Sequence, residues 1–359
     1  MLLALMCITA IGVGQSVRST TQTKTKIELG RALFFDKRLS VDGTVSCATC
    51  HDPASAFASR DAVAIGIASQ RGTRNSPTLL NSAFSKSYFW DGRAATIEAQ
   101  AKQPLLNAIE MGMESEAALI ERVSDVVEYK RSFQRLFPRE GITLDTIAKA
   151  IAAFERSLVS TNAPFDRFIH GDKRALTETQ QKGWELCKGK AKCADCHLHT
   201  GTTPVFTDAK FHNTGIRAKD LTFEDLFQRA ERFRNQTNTA NLSNLAHDPM
   251  LSDLGRFLVT RKQQDLGAFK TPTLRDVELT GPYMHDGSIK TLLDVIRFYN
   301  EGGVKNPMLD EKMKPLNLTE QEMNELVEFL RALTSDDVLR LVQSSKPQTR
   351  EPVPLRAPK

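Results

Sequence analysis

Apolar residues recur at helical spacing in several separated stretches of the chain, and strand-like alternation is almost absent. Residues Ile27 to Leu39 carry Leu29, Leu33 and Phe34 on one side, which predicts a helix, and Gly43 marks a turn after it. Ile97 to Gln103 and Glu116 to Val127 read as further helices. Leu144 to Leu158 places Leu144, Ile147, Ile151, Phe154 and Leu158 on one face. Pro164 and Gly171 break the stretch Asn162 to Lys173, which reads as a boundary. A new helix then opens at Thr177-Glu178-Thr179-Gln180, a capping box, and carries Trp184. A last closing helix starts at Thr319, with Glu322 completing its capping box, and buries Met323, Leu326, Leu330 and Leu333. Residues 60–93 read as a structured loop, and the charged run Lys219 to Arg234 as a solvated surface helix. The plan therefore occurs twice: opening helix, long irregular loop, closing helix. It predicts a mainly α fold with an N-terminal domain over 21–165 and a C-terminal domain over 166–343.

Composition supports this outline. The 359 residues are 40% hydrophobic and 25% charged, which fits a globular chain of two domains. The net charge of +5 is spread along the chain and gives no nucleic-acid footprint. Residues 1–20 read as a probable signal peptide. The apolar stretch Met1 to Gly14 is too short to span a bilayer and resembles the core of a secretory leader, although a basic start is missing. Residues 344–359 are rich in proline and basic residues and read as a flexible tail.

The chemistry lies in the cysteines. Four of the six stand in Cys47-Ala48-Thr49-Cys50-His51 and Cys193-Ala194-Asp195-Cys196-His197. Cys-x-x-Cys-His is the pattern of covalent c-type haem attachment: the thiols add to the vinyl groups and the histidine ligates the iron. A zinc site needs four soft ligands, and a thioredoxin-like pair needs a βαβ context. Two copies, each followed directly by histidine, favour two covalently bound haem c groups, held by Cys47, Cys50 and His51 and by Cys193, Cys196 and His197. Each repeated unit then resembles a cytochrome c domain. Cys187 reads as a buried apolar residue on a helix. Haem c is attached outside the bacterial cytoplasm, so an exported, periplasmic protein is expected.

Two haems alone fit a non-enzymatic electron carrier as well as an enzyme, and the sixth position on each iron decides. Here a resemblance enters. Phe89-Trp90-Asp91-Gly92-Arg93-Ala94, with Gln100, Pro104 and Glu110-Met111, resembles the bacterial dihaem cytochrome c peroxidase and MauG family. So do Lys270-Thr271-Pro272-Thr273-Leu274-Arg275 and Leu279-Thr280-Gly281-Pro282-Tyr283-Met284-His285-Asp286-Gly287. The resemblance covers residues from about 27 to 340. It implies that the N-terminal haem takes H₂O₂, with Glu110 as distal acid–base group and Gln100 and Pro104 lining the pocket. Family peroxidases place a removable histidine ligand where this chain has Ile67, so an open first iron is implied. The sixth ligand of the second haem falls at Tyr299, as in MauG-type enzymes, with Met284 as competitor. A hard anionic oxygen favours oxidised iron. Trp90 matches the tryptophan between the haems. Asn75, Thr280 and Pro282 match the ligands of an inter-haem Ca²⁺. The remaining histidines, His170, His199, His212, His247 and His285, read as structural or surface groups.

The expected activity is a haem peroxidase-type oxidoreductase. It uses H₂O₂ to form a high-valent state at the open haem and shares it with the His197/Tyr299 haem. The electrons come from a protein: a small cytochrome, a cupredoxin or a maturation substrate. MauG-type enzymes carry extra loop residues where this chain has Glu301-Gly302-Gly303, so the resemblance carries the haem chemistry and leaves the protein substrate open.

Overall fold

The computed structural model describes residues 25–199, 205–216, 221–235 and 242–345. The leader expected at 1–20 lies outside them, as does the tail expected at 344–359 except for Ser344 and Ser345, which are the last residues of a helix. The first half comprises α1 (residues 25–35), α2 (Cys47–Cys50), α3 (Ile97–Leu106), α4 (Glu116–Ser124), α5 (Val127–Leu136) and α6 (Leu144–Ser157). The second half comprises α7 (Pro164–Ile169), α8 (Glu178–Lys188), α9 (Phe223–Arg234), α10 (Leu242–His247), α11 (Phe257–Thr260), α12 (Leu292–Asn300), α13 (Glu320–Arg331) and α14 (Asp336–Ser345). The described strands are β1 (Phe211–His212) and β2 (Phe269–Lys270), paired antiparallel with Phe211 opposite Lys270. The fold is mainly α, as the apolar spacing predicts.

The repeated plan has a physical basis in two helix crossings. Gly30 of α1 lies so close to α6 that a Cβ there would stand 1.9 Å from the Ala150 carbonyl oxygen. Gly183 of α8 meets α13 in the same way, 2.0 Å from the Glu325 carbonyl oxygen. Each opening helix thus packs backbone to backbone on its closing helix. Around the first crossing Leu33, Phe34, Phe57, Ile147 and Phe154 form an apolar core; around the second, Phe165, Trp184, Phe206, Leu326 and Phe329 do. The capping boxes at Thr177 and Thr319 are formed, with Gln180 and Glu322 reaching back to the cap backbone.

The elements differ from the sequence reading in several places. Helix α3 runs on through Pro104 to Leu106. The stretch Glu116 to Val127 does not continue as one helix: it stops at Ser124, and α5 follows. The breaker stretch at 162–173 contains α7, because Pro164 stands at its first turn, where a missing N–H costs nothing. The last helix is α14, whose Val338 and Val342 return to the first core. The charged run ending at Arg234 is helical from Phe223 and buries Leu226, Ala230 and Phe233 in a third apolar cluster with Leu254 and Phe257.

One buried ion pair ties α7 to the segment after β2. The Arg275 guanidinium, 1% exposed, donates to Asp166 Oδ2 at 2.7 Å and Oδ1 at 2.5 Å. Asp166 also accepts the Ala163 backbone N–H at 2.8 Å. Removing one partner leaves the other charge buried and uncompensated. Asp166→Ala is therefore expected to destabilise the holoprotein by about 3–5 kcal/mol in denaturant titrations; a loss below about 1 kcal/mol would contradict this account.

Candidate active site

Both Cys-x-x-Cys-His segments are single turns that place two thiols and a histidine around one opening. In α2 the Thr49 hydroxyl accepts the Ser46 N–H at 3.0 Å, and the His51 N–H closes the turn onto Cys47 O at 2.9 Å. In the second, the His197 N–H closes onto Cys193 O at 2.8 Å. The histidines are oriented alike. His51 Nδ1 lies 3.0 Å from Pro77 O and 3.2 Å from Phe57 O. His197 Nδ1 lies 2.9 Å from Phe206 O. A carbonyl partner fixes the hydrogen on Nδ1 and leaves the Nε2 lone pair for a metal. Burial pushes both imidazoles below their ordinary pKa, so they stay neutral, as ligands must be. It pushes the Cys50 thiol up to about 11, the opposite of what a redox-active thiolate pair requires. The raised thiol belongs to the first motif, since a hydrogen bond from Cys187 lowers the pKa of Cys193 in the second; the turns and the oriented histidines fit covalent haem at each. Cys187 is buried on α8, as expected, and lies against Cys193.

The two motifs face a single cavity of about 450 Å³, which reaches from His51 and Glu110 past Trp90 to His197 and Tyr299. On the first side, α3 presents Gln100 and Pro104 to it. The turn after α3 is set by Asn107, whose Oδ1 accepts the Ile109 and Glu110 N–H groups at 2.9 and 3.2 Å. That turn aims Glu110 into the cavity. Its Oε2 is buried and has no hydrogen-bond partner among the described residues. A buried, unpaired carboxylate oxygen is costly unless a ligand completes it. Ile67 is packed in the first core, with its backbone N–H on Glu110 O at 3.0 Å. Glu155 of α6 also lines the cavity, and burial pushes its carboxyl up to about 8; the sequence reading did not single it out.

On the second side, α12 carries Tyr299 in its last turn. The chain has four tyrosines. Tyr88, Tyr129 and Tyr283 hydrogen-bond through their hydroxyls to Ser82 O, Asp36 Oδ2 and Val277 O. The Tyr299 hydroxyl has no such bond among the described residues and opens on the cavity. Burial pushes this phenol well above its ordinary pKa, so only a nearby cation makes it an anion. Met284 also lines the cavity.

Between the two sides, Trp90 donates its indole N–H to Asn75 O at 2.8 Å and meets His285 edge to face, 6.5 Å between ring centres. The Trp-Asp-Gly-Arg turn is held by Asp91, 0% exposed, which pairs with Arg74 at 2.6 Å and Arg93 at 3.0 Å. Burial opposes the charge on Asp91, but the two guanidinium groups outweigh it and keep the carboxyl below its ordinary pKa. Asn75 gives its backbone N–H to His285 O and its side-chain amide to Asp61 O, which leaves Oδ1. The Thr280 and Pro282 carbonyls accept no hydrogen bond among the described residues. All three residues line the cavity, and hard oxygens of this kind suit Ca²⁺.

Of the histidines expected to be structural, His170, His199, His212 and His285 engage Asp166 O, Trp184, Asp208 with Asp310, and Phe269. His247 differs. It closes α10 and reaches the first side of the cavity, with Nε2 at 3.4 Å from Glu110 Oε1. No local pattern ties residue 247 to residue 110, so only the folded chain brings them together.

The profile described as "Di-haem cytochrome c peroxidase" matches residues 24–174. The chain is 38% identical to the cytochrome-c peroxidase IdrP1 of Denitromonas iodatirespirans, over 88% of this chain and 83% of that one. It is 38% identical to the methylamine utilization protein MauG of Methylorubrum extorquens, over 88% and 79% respectively. Among solved structures it resembles a MauG-like protein associated with microbial copper homeostasis, with a TM-score of 0.72 and 33% identity over 88% of this chain and 91% of that one.

Proposed function

The chain belongs to the di-haem cytochrome c peroxidase family, which makes it a haem oxidoreductase, and from that premise we propose a specific division of labour. The His51 side is the peroxide site and the His197 side is an electron-transfer reservoir. When bound, the haems supply the redox chemistry: two electrons for O–O cleavage, drawn from both groups. The protein residues do the rest. Glu110 moves the proton from the inner to the outer oxygen of H₂O₂ through Oε2, as heterolysis requires. Gln100, whose side-chain amide has no hydrogen bond among the described residues, orients the oxidant, and Pro104, without an N–H, keeps that wall free of a competing donor. Ile67 supplies no ligand, so the site stays open. His197 and Tyr299 would hold the second haem, with Tyr299 preferred to Met284. Trp90 is the contact through which oxidising equivalents pass. Asn75, Thr280 and Pro282 would hold a Ca²⁺ through hard oxygens, and it would tie the two sides together.

The single observation that carries this reading is the buried Glu110 Oε2, which faces the cavity on the His51 side without a partner among the described residues. The reducing substrate is a protein: a small cytochrome, a cupredoxin or a maturation target. The protein is exported to the periplasm, where haem c and such donors meet; among the described residues no helix is long and apolar enough to cross a membrane. Donor assays test this. Reduced c-type cytochrome or reduced cupredoxin should be oxidised only when H₂O₂ is added to the holoprotein. Oxidation at the same rate without peroxide would identify a carrier instead.

A further inference from the structure

We propose that His247 is a positioning residue of the peroxide site and that it shares one proton with Glu110. This rests on the reading of Glu110 given above. The geometry fixes the arrangement. His247 Nδ1 lies 2.8 Å from the Ser243 carbonyl oxygen, an acceptor only. The Asn107 amide nitrogen is farther from the same ring nitrogen, at 3.4 Å, so the shorter Ser243 contact places the ring hydrogen on Nδ1, and Nε2 of the neutral ring carries a lone pair. Glu110 Oε1 stands 3.4 Å from that nitrogen. Two lone pairs do not attract, so this ion-pair distance is favourable when Nε2 carries a proton. The pair holds one proton more than a neutral imidazole beside a carboxylate, and its net charge is zero.

The pair is supported from both segments of the chain. The Asn107 side-chain amide donates to Ser243 Oγ at 3.0 Å, and the Thr73 hydroxyl donates to Ala246 O at 2.9 Å. These bonds dock α10 onto the turn that carries Glu110. Burial alone would strip the His247 ring of its proton. The hydrogen bond and charge of Glu110 more than offset this, and the imidazole lies above its ordinary pKa. Arg93 faces the pair and opposes the positive charge on His247, while Cys50 and His51 face Glu110 across the cavity.

The consequence is a carboxylate kept ready to accept a proton. In the resting pair Oε2 is free and Oε1 is neutralised by the imidazolium. Oε2 takes the proton of the inner peroxide oxygen, which brings the pair to a net charge of +1. The proton then passes to the outer oxygen, which leaves as water, and the pair returns to zero. Without His247 the carboxylate loses the positive charge that faces Oε1, and an anion without its neighbouring cation is less favoured. The acid limb of the rate profile then moves to higher pH.

The test compares wild type, His247→Gln and Glu110→Gln holoproteins by low-temperature EPR and by stopped-flow reaction with H₂O₂ across pH 5 to 9. His247→Gln should keep the ferric spin states of wild type. It should react roughly 10-fold or more slowly near pH 6, and its acid limb should lie at higher pH. The double variant should be no slower than Glu110→Gln alone. A wild-type pH profile in His247→Gln, with Glu110→Gln impaired, overturns the role of His247 and leaves that of Glu110. A wild-type rate in Glu110→Gln overturns the reading of Glu110 itself. Conversion of a low-spin haem to high spin in His247→Gln also overturns the proposal, because His247 would then be an iron ligand. If His247→Gln fails to load both haems, pH-difference infrared spectra of wild type decide. The carboxyl band missing in Glu110→Gln should titrate together with imidazole bands; titration without any imidazole change contradicts the shared proton.

Discussion

Glu110→Gln is expected to slow the reaction with H₂O₂ by roughly 10²–10⁴-fold, the range in which positioned acid–base groups act. Haem content and stability should be nearly unchanged. Glutamine has the shape of glutamate, and its amide can still donate to His247 Nε2. What it lacks is an oxygen at the Oε2 position that takes up and returns a proton. This atom is buried and has no partner among the described residues, so the defect falls on the reacting oxygens and not on packing. Stopped-flow spectroscopy over a range of peroxide concentrations reads the second-order rate directly. An unchanged rate would remove Glu110 from the mechanism.

The second large effect concerns Tyr299. In Tyr299→Phe the sixth position of the second haem should fall vacant, and a low-spin ferric signal should become high spin. In Tyr299→Met a thioether replaces the hard oxygen, and ferrous iron is favoured. The potential of that haem should rise on the order of 0.1 V or more, within the roughly 0.8 V that axial ligands span. The haem then stops sharing oxidised states with its partner and accepts electrons from higher-potential donors. Potentiometric titration with optical detection checks this. If Tyr299→Phe keeps its low-spin haem while a Met284 substitution abolishes it, Met284 is the ligand. The structural warrant is comparative: the other three tyrosines have hydroxyl partners, whereas Tyr299 opens on the cavity.

Features encoded within a few residues were legible from sequence. The two Cys-x-x-Cys-His turns named the cofactor, because covalent attachment needs only local spacing. The capping boxes at Thr177 and Thr319 marked helix starts that the structure forms, since each box satisfies its own backbone donors. The family resemblance brought Glu110, Gln100 and Trp90 into view, and the fold gathers them around one cavity. What stayed hidden depends on distant partners. Helix α14 is short, and its Val338 and Val342 acquire meaning only against the first core. The run ending at Arg234 looked solvated because its charges dominate, yet Leu226 and Phe233 find a local cluster. His247 has no motif of its own; its place beside Glu110 comes from the docking of α10 onto the Asn107 turn.

The central claim is that the two haem sites are unequal, the one at His51 open and the one at His197 closed by Tyr299. Low-temperature EPR of the ferric holoprotein, before and after stoichiometric H₂O₂, tests it most directly. The account predicts one high-spin and one low-spin ferric haem at rest, with both signals diminished by peroxide. Two low-spin signals that ignore peroxide would contradict it.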